Sequence, residues 1–559
     1  MKTVNRHKGS WPARVGLLAA TAASVLLLAA CGNSKASASA TKAITVSIPS
    51  QLETLDGAQA ADTSSGEVLT NVEEGLVVMG KHNKLQPGIA KSWTKSADGL
   101  TYTFELRHDA KWADGKPLNA HDFVYSWRRN VDPKTKAVNA YRYSGIKNAD
   151  AINSGKQDPS TLGVQADGDY KLVVHLEHPM ATFLSMMPNA EFLPAERSVV
   201  TKYGSKYGTN AAKTGYDGPY TLKSWNGTND SWTLVKNNKY WNKKNVHLDK
   251  VTYQVVKTTS TGLNMFESGQ LDQTELSGDE VKNEKNDKSF KQVLSGVGTY
   301  VVTNEKAPSN DTLKRAFNNV DIRKALSLSI DRKTFTQNTL ADGSQPALGF
   351  VSRDLGQNPK TGTDFAQEAY VKNDPANSGV SYNRKLAQQY WAKGLKELGL
   401  NGLSFNLTVD EDDQWDQISQ YLQEAWTKNL KGLKVTVKKV PKATRVKDLL
   451  GNDFDVILTS WSPDYDPTTF LDMMVTGNSY NFGGWSNSEY DSLMNTVHTT
   501  ANETERWNDM VKAEKLLMKE QGVIPLYQNA TNYLRNTKLT GMVDNAAGGN
   551  PGWRGVDLK

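Results

Sequence analysis

The chain has one cysteine, Cys31, and its surroundings define its chemistry. It follows Leu28-Ala29-Ala30, the small residues a lipoprotein signal peptidase needs. Upstream lie a basic start (Lys2, Arg6, Lys8, Arg14) and the apolar run Val15–Leu28, which has signal-peptide length and is short for a membrane span. A thiol placed there can be alkylated by a diacylglyceryl group. Two acyl chains, at about 0.8 kcal/mol per buried CH2, would hold the mature N-terminus at a bilayer. The alternative is a membrane helix with an incidental cysteine. Other reactive groupings are weaker. Ser92-Trp-Thr-Lys95 has the S-x-x-K spacing of penicillin-recognising enzymes, a pattern short enough to arise by chance. The acidic run Asp410-Glu-Asp-Asp413 lacks the glycine and closing glutamate of a calcium loop, and it opens a helix, where acids favour the dipole. His175 and His178, three apart along a strand, point to opposite faces, so no metal site is expected from them. No P-loop or G-x-S-x-G element occurs. The segment Ser460-Trp-Ser-Pro-Asp-Tyr-Asp-Pro467 reads two ways: Asp464 is a loop residue bonding its own backbone, or it is a presented carboxylate.

These groups must be held by a mixed set of elements. The pattern predicts strands at Ile44–Ile48, Thr101–Arg107, Tyr170–Leu176, Val251–Val256, Leu403–Val409, Leu433–Val440 and Phe454–Leu458. Between them it predicts a helix opened by Asn119 with Asp122 as its capping-box partner, one through Leu263 and Phe266, and one capped by Asp321 with Ile322, Ala325, Leu326 and Ile330 buried. Further helices are expected over Asn383–Leu398, Asp412–Leu430, Ala443–Gly451, Glu489–His498 and Glu503–Lys519. Such alternation favours α/β lobes, and 559 residues are too many for one core. The net charge of +6 falls to about +2 beyond the signal segment, with Lys and Arg scattered among acids, so nucleic acid is not expected as a partner. Residues Gly32–Ala43 are small and polar and read as a tether.

Several stretches together resemble the family-5 extracytoplasmic solute-binding proteins of peptide ABC transporters. They are Leu85–Trp93, Gly99–Trp112, Asp114–Pro117, Asn237–Trp241, Ser268–Asp272, Val320–Leu326 with Ile330–Arg332, and Ile524–Tyr527. Ser460–Pro467 followed by Phe470-Leu471 is similar to the oligopeptide-binding branch. There the aspartate three residues after the loop tryptophan holds the peptide's α-ammonium, which here implies Asp464. The resemblance also implies Trp461 and Tyr465 as walls, Ser460 and Ser462 as neighbours of the anchor, and Thr63, Ser64, Tyr300 and Asn304 as further cleft positions. Enteric relatives carry charges, or a cysteine, where this chain has Leu458, Ala61 and Ser462. The apolar Leu458 suggests tolerance of hydrophobic guests.

The implied fold is α/β, bilobal and periplasmic-binding-protein-like (class II), with a strand hinge and an extra subdomain on the first lobe. The implied domains are a signal peptide at 1–30, a tether at 31–43, lobe I from 43–80, 214–319 and 523–559, the extra subdomain at 81–213, and lobe II at 319–522. The implied function is extracellular capture of oligopeptides and delivery to an ABC importer, without cofactor, metal or catalysis. The protein would be a lipid-anchored monomer on the extracytoplasmic face, as on a Gram-positive cell, with peptide, permease and membrane as partners. A receptor for one peptide pheromone, or a peptide-processing enzyme or chaperone, are the alternatives.

Overall fold

Two strands run farther than all others, Phe290–Thr303 and Ile524–Arg535, and they organise the molecule. The computed structural model describes residues 41–180, 182–547 and 552–559. The signal segment, most of the tether and Cys31 lie outside the described residues. The long strands are neighbours at the middle of an eleven-stranded sheet. On one side, Phe290–Thr303 pairs with Val456–Trp461, followed by Leu403–Asp410 and Leu433–Val440. On the other side, Ile524–Arg535 pairs with Gln273–Leu276, followed by Ala43–Ile48, Lys250–Val255, Ser231–Lys236 and Tyr220–Lys223. The ladder between the long strands shifts register between Leu294 and Gly298. Such an irregularity bends and twists a strand pair locally, which divides the sheet into two halves.

Each half has its own core. In the first, Ile44, Val46 and Ile48 alternate inward, as a half-buried strand requires, onto Val68, Leu69, Trp232 and Tyr253. In the second, the sheet is covered on both faces. Val301, Val456 and Leu458 pack on one side with Trp426 and Phe317, while Tyr300, Val302 and Ile457 pack on the other with Phe470 and Trp485. Residues before 319 and after 522 share the second half's cores. Tyr300, Val301, Leu313 and Phe317 already belong to its cores, and Val523, Ile524, Leu526 and Tyr527 still do. The reason is that the long strands change halves partway along their length. Leu458 is fully buried in that core and cannot contact a guest, so its apolar character reflects packing and says nothing of ligand preference.

A separate four-stranded sheet, ordered Ala90–Lys95, Thr101–Leu106, Lys171–His175 and Val164–Ala166, packs on the helix Ala120–Val131 around Trp112, Phe123 and Trp127. The predicted capping box at Asn119 and Asp122 is present. For the helix Val320–Leu328 the cap is Asn319, whose side chain accepts from the Asp321 and Ile322 N–H groups, and Asp321 lies inside the first turn. Among the described residues no helix is long and apolar enough to cross a membrane.

Candidate functional site

The strand Val456–Trp461 ends with Trp461 opposite Gly298, just past the register shift, and the chain then turns through Ser462-Pro463-Asp464-Tyr465-Asp466-Pro467. A glycine is needed beneath this turn. A Cβ at Gly296 would lie 2.9 Å from Pro463 Cγ and 2.9 Å from the Ala546 carbonyl oxygen. Two aspartates leave the turn in different environments. Asp466 accepts from the Thr468 N–H (2.9 Å) and hydroxyl (2.6 Å) and from Arg506 Nη2 (2.8 Å). Burial pushes its carboxyl up, but Arg506 and the Thr468 donors outweigh burial and hold it below its ordinary value. The local, turn-making role that an aspartate can play in such a loop thus falls to Asp466.

Asp464 is the presented carboxylate. Its side chain is 49% exposed, and its charged partner comes from the small four-stranded unit: Arg142 Nη1 lies 3.3 and 3.2 Å from its two oxygens. Arg142 sits on the short 3-10 turn Ala140–Tyr143, and its Nε lies 3.3 Å from Glu191 Oε1, within ion-pairing range. The Tyr143 hydroxyl donates to the Glu191 carbonyl (2.5 Å), which ties the turn to the segment bearing the glutamate. Burial would lower the guanidinium's pKa, but Asp464 and Glu191 hold it above its ordinary value. Burial raises the Glu191 carboxyl more than Arg142 lowers it. Two carboxylates and one guanidinium leave room for one more positive charge. Sequence reasoning missed Arg142 and Glu191. The partners are 322 residues apart in the case of Asp464, and no local motif marks them.

The other expected positions separate into two groups. Ser460, Trp461, Ser462 and Tyr465 lie on the same strand end and turn as Asp464. The Ser460 hydroxyl is 2.9 Å from that of Thr299, Trp461 Nε1 donates to Thr469 Oγ1 (3.3 Å), and Ser462 is exposed. The Trp461 ring meets Tyr480 edge-on at 5.1 Å. Tyr465 is half-buried, its hydroxyl pushed up to about 12 by burial, and it lines a cavity of about 520 Å³ shared with Trp93, Tyr102, Met180 and Trp507. Thr63 is exposed at the start of the helix Thr63–Val72 and lines a cavity of about 540 Å³ beside Glu67, Glu275 and Arg535. Ser64 is buried, with its hydroxyl on that of Ser50 (2.7 Å). A further cavity of about 770 Å³ takes walls from both halves, including Glu275, Ser295, Asn529, Asp412 and Gln417.

Tyr300 and Asn304 are not on a cleft surface in this structure. Tyr300 is 3% exposed, edge-on to Phe350, with a hydroxyl that has no partner among the described residues. Asn304 is fully buried and braces a loop. It donates to the Asn452 and Phe454 carbonyls (3.0 and 2.8 Å) and accepts from the Lys306 and Ala307 N–H groups.

The catalytic groupings do not assemble. K-T-G tripeptides occur at Lys213–Gly215 and Lys360–Gly362, yet among the described residues neither bonds to Ser92 or Lys95, and Lys95 instead approaches Glu503 at 3.9 Å. Asp410 holds Arg445 (2.6 Å) and Asp412 caps the helix Asp413–Asn429. His175 lies 3.2 Å from Thr101 Oγ1. No group of three or more His, Cys, Asp or Glu side chains among the described residues is arranged for a metal ion.

Known proteins agree with this architecture. Residues 84–482 match the family described as bacterial extracellular solute-binding proteins, family 5 middle. The dipeptide-binding protein of Lactococcus lactis subsp. cremoris is 37% identical over 547 residues, covering 96% of this chain and 97% of its own. Listeria monocytogenes OppA bound to peptide superposes with a TM-score of 0.71 at 35% identity, over 93% of this chain and 100% of that one. The unliganded open form of the murein tripeptide-binding protein MppA superposes more closely, with a TM-score of 0.79, although its identity is 27%, over 93% and 98% of the two chains. The bilobal class II fold is common to them.

Proposed function

This chain belongs to the bacterial extracellular solute-binding proteins of family 5, and from that premise we propose that it captures oligopeptides between its lobes and delivers them to an ABC importer. The observation that carries the reading is Asp464. It is a half-exposed carboxylate at the mouth of a turn, with one shared guanidinium and capacity for a further cation. A peptide's α-ammonium offers three N–H donors and a full charge. Charge-assisted hydrogen bonds to a carboxylate contribute about 1.5–3 kcal/mol each. Ser460 and Ser462 lie on or beside strand-end backbone that can pair with an extended guest as an added strand would, which reads no side chains and permits breadth, while Thr63 offers a hydroxyl from a helix start with Ser64 behind it. Trp461 and Tyr465 wall the anchor. Tyr300 and Asn304 support the second lobe's wall from behind. Lobe I comprises the sheet half built on Ala43–Ile48, the small sheet within 81–213 is its subdomain, and the hinge is the register shift between Leu294 and Gly298. A guest touching both lobes binds the closed state better and shifts the population toward it. The protein works as a monomer, by closure and release, without a chemical step.

Calorimetry tests this directly. Peptides with a free N-terminus should bind, and their N-acetylated forms should bind far more weakly. Equal affinity for both would sink the reading. The same account places the protein outside the cell membrane, anchored through a diacylglyceryl thioether on Cys31 as on a Gram-positive surface. Cys31→Ala should abolish acyl labelling in cells, and persistent labelling would count against that anchor.

A further inference from the structure

The geometry assigns Arg142 a recognition task of its own: donating to the first carbonyl oxygen of the guest, so that the site reads an ammonium followed by a peptide carbonyl. This rests on Asp464 as the ammonium's partner. A guanidinium has five N–H donors fixed in one plane. Here Nε faces Glu191 and Nη1 faces Asp464, while Nη2 bonds neither carboxylate, and the exposed Tyr141 hydroxyl is the guanidinium's neighbour. Exposure rises along the cluster, from 6% for the Glu191 side chain through 26% for Arg142 to 49% for Asp464, so the cluster opens toward the space in front of the carboxylate. In an extended peptide the first carbonyl oxygen lies about 3 Å from its own ammonium nitrogen. An ammonium seated on Asp464 therefore brings that oxygen to the neighbourhood of Nη2.

A rival role would make Arg142 a plug that occupies Asp464 until a peptide displaces it. The contact is unsuited to that. A single nitrogen is shared between both carboxylate oxygens at 3.2 and 3.3 Å. Firm arginine–aspartate pairs in this chain are shorter, as Arg129 on Asp56 with two bonds at 2.8 and 2.6 Å or Arg445 on Asp410 at 2.6 Å. Asp464 keeps lone pairs for the ammonium while Glu191 keeps the guanidinium in place.

The test pairs a free-N-terminal peptide with its analogue carrying a thioamide at the first peptide bond, since sulfur is the poorer acceptor. On the native protein the thioamide should bind about tenfold more weakly. Arg142→Gln should weaken the ordinary peptide by a similar factor and bring the two peptides to nearly equal affinity. Arg142→Lys keeps the charge beside Glu191 but lacks the planar fork. It should also narrow the ratio, and it serves if the Gln variant does not fold. A loss that merely reflected structure would weaken both peptides alike and leave the ratio unchanged. That result, or tighter binding by Arg142→Gln, overturns the assignment. The penalty for N-acetylation should survive in both variants. If acetylation makes no difference to the native protein, it is the Asp464 anchor that fails, not Arg142.

Discussion

Asp464 and Asp466 are two residues apart on one turn and have opposite fates. Asp466 is enclosed within the second lobe and matched by Arg506 and Thr468. Asp464 is half-exposed, and among the described residues its only charged contact comes from a different part of the fold. A third carboxylate, Glu514, completes the series. It is buried in the same lobe, accepts only from the Phe350 and Val351 N–H groups, and leaves one oxygen without a partner among the described residues. The lesson is that burial sets what a carboxylate does. Enclosed with a cation it stabilises the fold, enclosed without one it takes up a proton, and half-open it keeps capacity for a further cation.

The contrast can be broken most severely at Asp466. Asp466→Ala leaves Arg506, itself only 13% exposed at the edge of a cavity, without its carboxylate and should cost about 3 kcal/mol of stability, read from chemical denaturation. Little loss would mean that the two aspartates are equivalent after all. Asp464→Asn should do the reverse, leaving stability nearly unchanged while weakening free-N-terminal peptides by about 2–4 kcal/mol in calorimetry. The smallest effect is at Glu514, whose carboxyl burial raises from 4.5 to about 7. A raised carboxyl stabilises the fold fully below its unfolded value, and that contribution fades as pH rises through the folded value. Stability should therefore fall between about pH 4.5 and pH 7. Glu514→Gln should remove about 1–3 kcal/mol of that fall. An unaltered slope in the variant would place the titration elsewhere.

Much of the local structure was legible because its causes are local. The box at Asn119 and Asp122 needs only a three-residue spacing, and it formed. The helices expected over Asn383–Leu398 and Asp412–Leu430 form, and Asn383 and Asp412 stand just outside them as caps. The reading slipped where two candidates stood side by side: Asn319 took the cap given to Asp321, since the side chain just outside the helix reaches the free N–H groups. It slipped again where a family position was carried across without its surroundings. Asn304 proved to be a brace, and Leu458 a core residue, because the inward or outward sense of a strand position depends on what covers each face.

The sequence by itself determined the α/β class, the capping box at Asn119 and the turn on which Asp464 sits, because hydrophobic period and capping chemistry act over a few residues. Tertiary structure alone decided which aspartate of that turn is free. It also brought Arg142 and Glu191 to it, and ran two long strands through both halves of the sheet. Those outcomes depend on contacts between segments hundreds of residues apart, where burial and charge are properties of the assembled fold and of no single stretch of chain.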